Sequence, residues 1–97
     1  MGKNFEIKES TKIEASERLK KIEGQIRGLE RMVEQNRYCI DMLMQISSVQ
    51  EALRGVSKVI MRHYLENCAT KSILKGDPSS AEETYKEIMD VIFKYAR

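Results

Sequence analysis

The chain has 97 residues, of which 41% are hydrophobic and 33% charged, and its formal net charge at pH 7 is +2. This length corresponds to one domain, and the composition excludes a disordered chain. The small net charge does not by itself indicate nucleic-acid binding, and no apolar run is long enough to cross a bilayer. The opening MGKNFEIKESTK lacks the apolar stretch of an export signal, which predicts a cytoplasmic protein with no membrane partner.

The first predicted element is an amphipathic helix. Residues 1–11 are polar and show no periodicity, so we predict a flexible tail there and a single helical domain over 12–97. From Ile13 to Val33, apolar residues recur every three or four positions with charged residues between them. This pattern predicts a first helix over roughly 12–35.

The second predicted helix is unusually long. Its apolar pattern begins at Tyr38 or Cys39 and continues to about Ile73, and Gly76 and Pro78 then end it. About 36 residues at 1.5 Å each span about 54 Å. A compact chain of this length has a radius of gyration of only about 12–13 Å, so this helix is expected to extend beyond a monomeric core.

A third helix and the pairing of the second complete the predicted fold. Ser79 or Ser80 is the predicted cap of the third helix, and Tyr85 and Ile92 belong to its apolar stripe. The fold class is therefore all-α, with a three-helix protomer that forms an antiparallel four-helix-bundle dimer. Gly55 is the one feature that argues for a break of the second helix into a hairpin.

The two cysteines lie near opposite ends of the second helix. Cys39 and Cys68 are 29 residues apart, which places their thiols about 43 Å apart in one straight helix. In an antiparallel dimer, Cys39 of one copy approaches Cys68 of the other. Two buried, unrelated cysteines are the alternative interpretation, since free cysteine is often buried.

Several sequence stretches resemble the CsoR/RcnR family of bacterial repressors. They are IEGQIRG at 22–28, RYCIDML at 37–43 and QISSVQEALRG at 45–55, together with Arg18. The resemblance covers the chain from Arg18 to its end. It implies a disc-like tetramer made of two antiparallel dimers, and operator DNA binding that an inducer relieves. Members respond to Cu(I), to Ni(II) or Co(II), to formaldehyde, or to reactive sulfur species.

The inducer question depends on the residues before Cys68. In copper-responsive members, the family pattern supplies a cysteine equivalent to Cys39 from one subunit, and from the other a histidine and a cysteine four residues apart. Here Tyr64 stands at the histidine position, and a hard phenol oxygen is a poor ligand for Cu(I). His63 precedes Cys68 by five residues, a rotation of about 140° in an α-helix. We therefore predict that His63 faces solvent or DNA and is not a ligand, unless the helix contains a local bulge.

Two thiols without the histidine are similar to the persulfide-sensing CstR branch of the family. In such chemistry one thiolate attacks a persulfide or polysulfide, and the second thiol forms a di-, tri- or tetrasulfide bridge between subunits. Cys39 is the predicted nucleophile, because a helix N-terminus and Arg37 favour a thiolate there, and Cys68 is the resolving thiol. Tyr38 and Tyr64 are the predicted neighbours of this site.

Other functions stay open or are disfavoured. A Cu(I)-responsive repressor with the ligands Cys39, Cys68 and Met61 is the main alternative, since a thioether is a soft donor, and Met42 lies near Cys39. A Ni(II) or Co(II) sensor needs several nitrogen donors, and the chain has one histidine. A purely structural helical dimer is a third interpretation. No enzyme motif occurs, so we predict neither catalytic activity nor a cofactor.

The DNA-binding surface cannot be predicted from charge alone. No helix-turn-helix is visible, and glutamates interleave with the basic residues as on a solvated helix face. The resemblance implies operator contacts for some of the polar and basic residues of the first two helices. The predicted DNA-binding set is Arg18, Lys21, Gln25, Arg27, Gln50 and Arg54.

A sulfur bridge between subunits suggests how the inducer could act on this surface. It would restrain neighbouring helix ends and favour a tetramer shape that no longer matches DNA, and operator binding would in turn disfavour the bridge. Glu83 or Glu87 of the third helix is a candidate participant in this coupling.

Overall fold

The computed structural model describes residues 7–74 and 76–95, and all its regular elements in that part of the chain are helical. The elements are α1 (Glu9–Glu34), α2 (Cys39–His63), a π-helical segment (Tyr64–Ala69), α3 (Thr70–Ile73) and α4 (Pro78–Tyr95). The π segment joins α2 and α3 without a break, so the three form one long helix over residues 39–73. This confirms the all-α, three-helix protomer.

Helix α1 begins earlier than predicted. The expected tail of residues 1–11 is wrong for 9–11, which lie in the first helical turn. The turn closes because the Lys12 N–H donates to the Lys8 carbonyl at 2.9 Å. Glu9 also pairs with Lys12 at 3.9 Å, and its negative charge suits the positive end of the helix. Residues 1–6 of the predicted tail lie outside the described residues.

The turn after α1 has the geometry of a helix C-terminus closed by a left-handed residue. Asn36 has a φ of 55°. Its N–H donates to the Val33 carbonyl at 3.2 Å, and the Arg37 N–H donates to the Met32 carbonyl at 3.0 Å. Asparagine tolerates this conformation better than most residues, which explains why α1 ends close to the predicted position.

The start of α4 differs from the prediction in its capping residue. We expected Ser79 or Ser80 to cap this helix, and this expectation is wrong. Pro78 is the first residue of the helix, and Asp77 Oδ1 accepts a hydrogen bond from the Ser79 N–H at 3.1 Å. Proline suits the first helical position because its missing N–H has no partner there in any case.

Gly55 does not break the second helix. Helix α2 continues through it, so the hairpin alternative is wrong. A Cβ atom at position 55 would lie 2.8 Å from Nη1 of Arg18. Glycine therefore leaves room for the Arg18 side chain of α1, which packs along α2.

One copy of the chain buries very little apolar surface. Ala15, Ile22, Val49 and Ala69 are the buried apolar side chains in the described part, and none of its large side chains is fully buried. The radius of gyration is 17.9 Å and the longest dimension is 58 Å, against about 12–13 Å for the radius of a compact chain of this length. The second helix thus extends beyond a monomeric core, as predicted.

Large apolar side chains remain exposed along the second helix and α4. They include Ile40, Leu43, Leu53, Ile60, Met89 and Phe93. Exposed apolar side chains in this number are typical of helices that pack against another chain. Charged residues interrupt every helix, and none in residues 7–74 and 76–95 is long and apolar enough to span a bilayer.

Candidate sensing site and DNA-facing surface

The two cysteines occupy different environments at opposite ends of the second helix. Cys39 is the first residue of α2 and is exposed, while Cys68 is half-buried in the π segment. Both are free thiols. Because 29 residues of continuous helix separate them, one copy cannot bring them together.

The helix around Cys68 is not an α-helix. Residues Tyr64–Ala69 form a π-helix, in which hydrogen bonds join residues five apart. The rotation of about 140° expected between His63 and Cys68 in an α-helix therefore does not apply. The sequence-based expectation of a regular helix is wrong here. The directions of the His63 and Tyr64 side chains therefore follow from their contacts and not from helical angles.

Two side chains donate hydrogen bonds to backbone carbonyls in or next to the π segment. Asn67 Nδ2 donates to the His63 carbonyl at 3.2 Å, and Thr70 Oγ1 donates to the Leu65 carbonyl at 2.6 Å. Side-chain donors of this kind compete with the N–H groups of the helix and often distort it. These two bonds accompany the change from α- to π-helical geometry.

His63 lies against α1. Its side chain is only 7% exposed and lines a cavity shared with Thr11 and Glu14 of α1. Its Nδ1 lies 3.3 Å from Asn67 Nδ2. The prediction that His63 faces solvent is therefore wrong, because α1 covers this side of the second helix.

Tyr64 lies on the side of α4 and next to Cys68. Its hydroxyl donates to Oε1 of Glu87 at 2.7 Å, which ties the π segment to α4. Burial, this hydrogen bond, the charge of Glu87 and the charge of Cys68 raise the pKa of the Tyr64 phenol. The phenol is therefore neutral near pH 7, and its proton is donated in the hydrogen bond to Glu87. Of the two glutamates singled out from the sequence, Glu87 is the one that reaches the region of Cys68.

Met61, the predicted third ligand for Cu(I), lies near this group. It lines an apolar groove between the second helix and α4 together with Tyr64 and Val91. Within residues 7–74 and 76–95 of one copy, no three His, Cys, Asp or Glu side chains converge as a metal site. Tyr64 stands at the position where the family resemblance predicts a histidine.

The surroundings of Cys39 are simpler. Arg37 and Tyr38 lie in the short connection before α2 and are both exposed. Tyr38 precedes the helix, but its side chain does not cap it. The N–H groups of the first turn of α2 therefore donate no hydrogen bond to the Tyr38 side chain. The surroundings of Cys39 and those of Cys68 are therefore separate in one copy, and we call each a candidate half-site.

Three of the predicted DNA-binding residues lie together. Arg18, Lys21 and Gln25 line one groove of α1 beside Ala52 of α2. Arg18 pairs with Glu14 of its own helix at 3.5 Å. Exposed pairs of this kind contribute little to stability, so a phosphate could replace the carboxylate at small cost.

The other three predicted DNA-binding residues are distributed over two surfaces. Gln50 and Arg54 are four residues apart on α2 and share one exposed face. Arg54 pairs with Glu51 at 3.4 Å. Arg27 pairs with Glu23 at 3.9 Å and lies nine residues after Arg18, which is about half a turn away around α1. One copy does not bring Arg27 to the groove of Arg18.

Sequence reasoning missed two contributions to these surfaces. It treated Gly55 as a possible helix breaker, whereas this glycine makes room for Arg18. A mid-helix glycine without turn residues around it could have indicated such a close approach. It also gave Asn67 no role, although Asn67 bonds both the backbone and the ring of His63.

Comparisons with known proteins agree with this architecture. Residues 11–94 match the protein family described as metal-sensitive transcriptional repressor. The copper-sensing transcriptional repressor CsoR of Bacillus subtilis (strain 168) is 40% identical over 86 residues, which cover 89% of this chain and 82% of that protein.

Solved structures give the same result. The crystal structure of the copper-sensing repressor CsoR with Cu(I) from Geobacillus thermodenitrificans NG80-2 has a TM-score of 0.82 and 42% identity, covering 99% of this chain and 97% of that chain. The nickel-responsive transcriptional regulator InrS has a TM-score of 0.67 and 34% identity, covering 79% of this chain and 86% of that chain.

The names of these relatives bear on the inducer. A copper-sensing and a nickel-responsive protein share the fold, so the fold does not specify what the chain senses. The relatives named above are described as sensing copper or as responding to nickel. The shared family is shown by the match over most of the chain. This chain therefore belongs to the CsoR/RcnR family of metal-sensitive transcriptional repressors and is not an enzyme.

Proposed function

We propose that this repressor binds operator DNA when its thiols are reduced and releases it when reactive sulfur species link Cys39 to Cys68 of the partner subunit. The observation that carries this proposal is the hydrogen bond of Tyr64 to Glu87 beside Cys68. A neutral phenol with an engaged proton occupies the position of the imidazole in copper-responsive members. The two thiols are then the groups at this site suited to chemistry with an inducer.

The reaction needs no cofactor, because the persulfide is the oxidant. The Cys39 thiolate attacks the outer sulfur of a persulfide RSSH, forming Cys39–S–SH and releasing RS⁻. The Cys68 thiolate of the other subunit then attacks the inner sulfur of this persulfide, Sγ of Cys39, so that the Sγ–SH bond breaks, a disulfide forms and HS⁻ is released. If both thiols first become persulfides, one persulfide anion attacks the inner sulfur of the other, and a trisulfide forms with loss of HS⁻.

Dimerisation is part of this proposal. The exposed apolar surface of the second helix and α4 supports an antiparallel bundle of two copies. Antiparallel pairing would place the Cys39 half-site of each copy beside the Cys68 half-site of the other. Two dimers would then form the disc-like tetramer, in the cytoplasm, with four copies of the basic surface.

Cu(I) is the second candidate inducer, and the copper-sensing relatives are the observation that favours it. The ligands in this case would be Cys39, Cys68 of the other subunit and Met61, which are soft sulfur donors suited to Cu(I). Met61 lines the same groove as Tyr64, which supports its inclusion. The two candidates differ in whether the thiols end up covalently modified.

Operator binding would use the groove of Arg18, Lys21 and Gln25, together with Gln50 and Arg54. Each of the two arginines would exchange an exposed intrahelical carboxylate partner for a DNA phosphate. Repetition in a tetramer would compensate for the small charge of one chain, and affinity is expected to fall steeply with salt. Arg27 would contribute only from a different face of the assembly.

The function is tested by titrating the complex of reduced protein and operator DNA with tetrasulfide or with Cu(I), each followed by intact-mass measurement. We expect release by tetrasulfide, with linked subunits. Their mass should equal the summed mass of two chains less two hydrogens for a disulfide, or that value plus the added sulfur for a longer bridge. Release by stoichiometric Cu(I) with unmodified thiols would instead select the second candidate. Failure of the reduced protein to bind the operator would contradict both.

Gly55→Ala is expected to change operator affinity and fold stability in opposite directions, which separates the two effects. Alanine in a helix interior is favoured over glycine by about 0.5–1 kcal/mol, so the melting temperature should rise. The added Cβ would displace the Arg18 guanidinium, since the two atoms would be only 2.8 Å apart. We therefore expect operator affinity to fall several-fold in a fluorescence anisotropy titration.

Gly24→Ala is the matched control for this variant. A Cβ at position 24 meets nothing within 4 Å among the described residues. The same gain in helix stability is expected there, with unchanged operator affinity. Equal operator affinities for the two alanine variants would argue against the proposal that Arg18, in its position next to Gly55, contributes to operator binding.

A further inference from the structure

A polar cavity lies between the first turns of α1 and the C-terminal part of α2. Its volume is about 500 Å³. Ser10 and Thr11 line it from α1, and Lys58 and His63 line it from α2. The sensing reaction proposed above does not use this cavity or His63.

The hydrogen-bond partners of His63 determine which ring nitrogen carries the proton. Asn67 Nδ2 donates to the His63 carbonyl at 3.2 Å and lies 3.3 Å from His63 Nδ1. An amide nitrogen has two hydrogens and accepts none, so Nδ1 must be the acceptor of the second bond. In a neutral imidazole the hydrogen then resides on Nε2, which is a donor.

This donor lacks an acceptor. His63 is 93% buried, since only 7% of it is exposed, and its Nε2 has no hydrogen-bond partner among the described residues. A buried donor without an acceptor destabilises a fold, so such groups usually serve a ligand or an ordered water. With Nδ1 engaged by Asn67, Nε2 is the ring atom without a partner, in a residue that lines the cavity.

The charges around the cavity favour an anion. Lys8, Arg18, Lys58 and Arg62 line it, against the two carboxylates Glu14 and Glu66. Each carboxylate already pairs with an arginine, at 3.5 Å for Glu14 with Arg18 and at 4.0 Å for Glu66 with Arg62. Within residues 7–74 and 76–95, no ion pair is formed by Lys8 or Lys58, which leaves the cavity with positive charge.

The N-terminus of α1 adds to this charge. Lys8 precedes the helix and provides no side-chain cap, and Ser10 and Thr11 of the first turn line the cavity. Free N–H groups and the helix dipole at such an end attract anions, above all phosphate. A metal cation is not expected, because no three ligating carboxylate, thiol or imidazole groups converge in the described chain.

We propose that this cavity binds a phosphate group, with the Nε2–H of His63, the ammonium of Lys58 and the first turn of α1 as its donors. The phosphate can come from the DNA backbone or from free inorganic phosphate. The first source rests on the proposed operator binding, and it is supported by Arg18, which lines both this cavity and the groove of the predicted DNA contacts. The second source is independent of that function.

His63 provides a direct readout, because it is the only histidine in the chain. We would titrate the reduced full-length protein with inorganic phosphate at constant ionic strength and follow the imidazole signals by NMR, with chloride as the control anion. Binding of free phosphate predicts a saturable shift that is lost in Lys58→Met. The matched charge control is Lys86→Met on α4, which should keep the shift.

The second arm measures operator affinity against salt concentration. If a backbone phosphate occupies the cavity, Lys58→Met should weaken binding about tenfold and lower the slope of log affinity against log salt by about one. His63→Phe should weaken binding similarly, whereas His63→Gln, which retains an N–H donor, should restore part of the affinity. Lys86→Met should leave both affinity and slope unchanged.

The two arms distinguish the possible failures. If phosphate does not shift the His63 signals and the variants bind the operator like the wild type, the cavity proposal is wrong while operator binding stands. If the wild type binds no operator but phosphate gives the saturable shift, the cavity proposal stands for free phosphate and the proposed repressor function fails.

Discussion

Serine at Cys39 or at Cys68 is expected to leave operator binding intact and to abolish release by polysulfide. Neither thiol contacts the groove of Arg18, so the reduced surface should keep its affinity. Couplings of about 1–3 kcal/mol are typical between a sensing site and a second site, so tetrasulfide should weaken operator binding by the wild type about 5–150-fold. Fluorescence anisotropy of labelled operator DNA measures both quantities.

The two serine variants should differ in their chemistry. In Cys68→Ser, the exposed Cys39 can still accept sulfur, so its mass should increase by one sulfur atom without a link between subunits. In Cys39→Ser, the half-buried Cys68 should react more slowly. Release of either variant by tetrasulfide at the wild-type concentration would contradict a bridging mechanism.

Tyr64→His is expected to create a strong Cu(I) response. The substitution places an imidazole at the position of a side chain that already interacts with Cys68, and it removes the hydrogen bond to Glu87. Since loss of a group that merely supports a ligand changes metal affinity by 10–100-fold, a whole added ligand should raise Cu(I) affinity by at least ~100-fold. Competition with a chromogenic Cu(I) chelator measures this change.

Tyr64→Phe is the control, because it removes the same hydroxyl without adding a donor. We expect it to bind Cu(I) as weakly as the wild type and to keep its response to tetrasulfide. If the wild type already binds Cu(I) as tightly as Tyr64→His does, then Tyr64 does not determine the choice of inducer. In that case the second candidate, with Met61 as a ligand, becomes the better account.

Periodicity and end signals were sufficient to predict the three helices. The apolar repeat and the stop at Gly76 and Pro78 gave the length of the second helix, and the apolar repeat up to Val33 gave the approximate end of α1. The start of α1 was placed too late, because residues 9–11 are polar and only the ion pair and the backbone bond at the first turn show that they are helical.

The sequence names candidate members of the site, which stay predictions, but it does not indicate their local geometry. Alignment with the family predicts Tyr64 near Cys68, and in the structure the charge of Cys68 is among the causes that raise the pKa of the Tyr64 phenol. The burial of His63 was missed, because the sequence pattern does not show that α1 covers this side of the second helix. The angular argument between His63 and Cys68 also failed, because nothing in the apolar pattern marks the π-helix of Tyr64–Ala69, which the Asn67 and Thr70 bonds accompany.

Pairing between subunits is the central claim, and co-assembly of Cys39→Ser chains with Cys68→Ser chains tests it most directly. Each variant alone lacks one member of every pair, whereas a mixed antiparallel dimer contains one complete pair, Cys39 from one chain and Cys68 from the other. After tetrasulfide treatment, non-reducing denaturing electrophoresis should show a covalent dimer in the mixture and in neither variant alone. A mixture that stays monomeric while the wild type is oxidised would contradict the account.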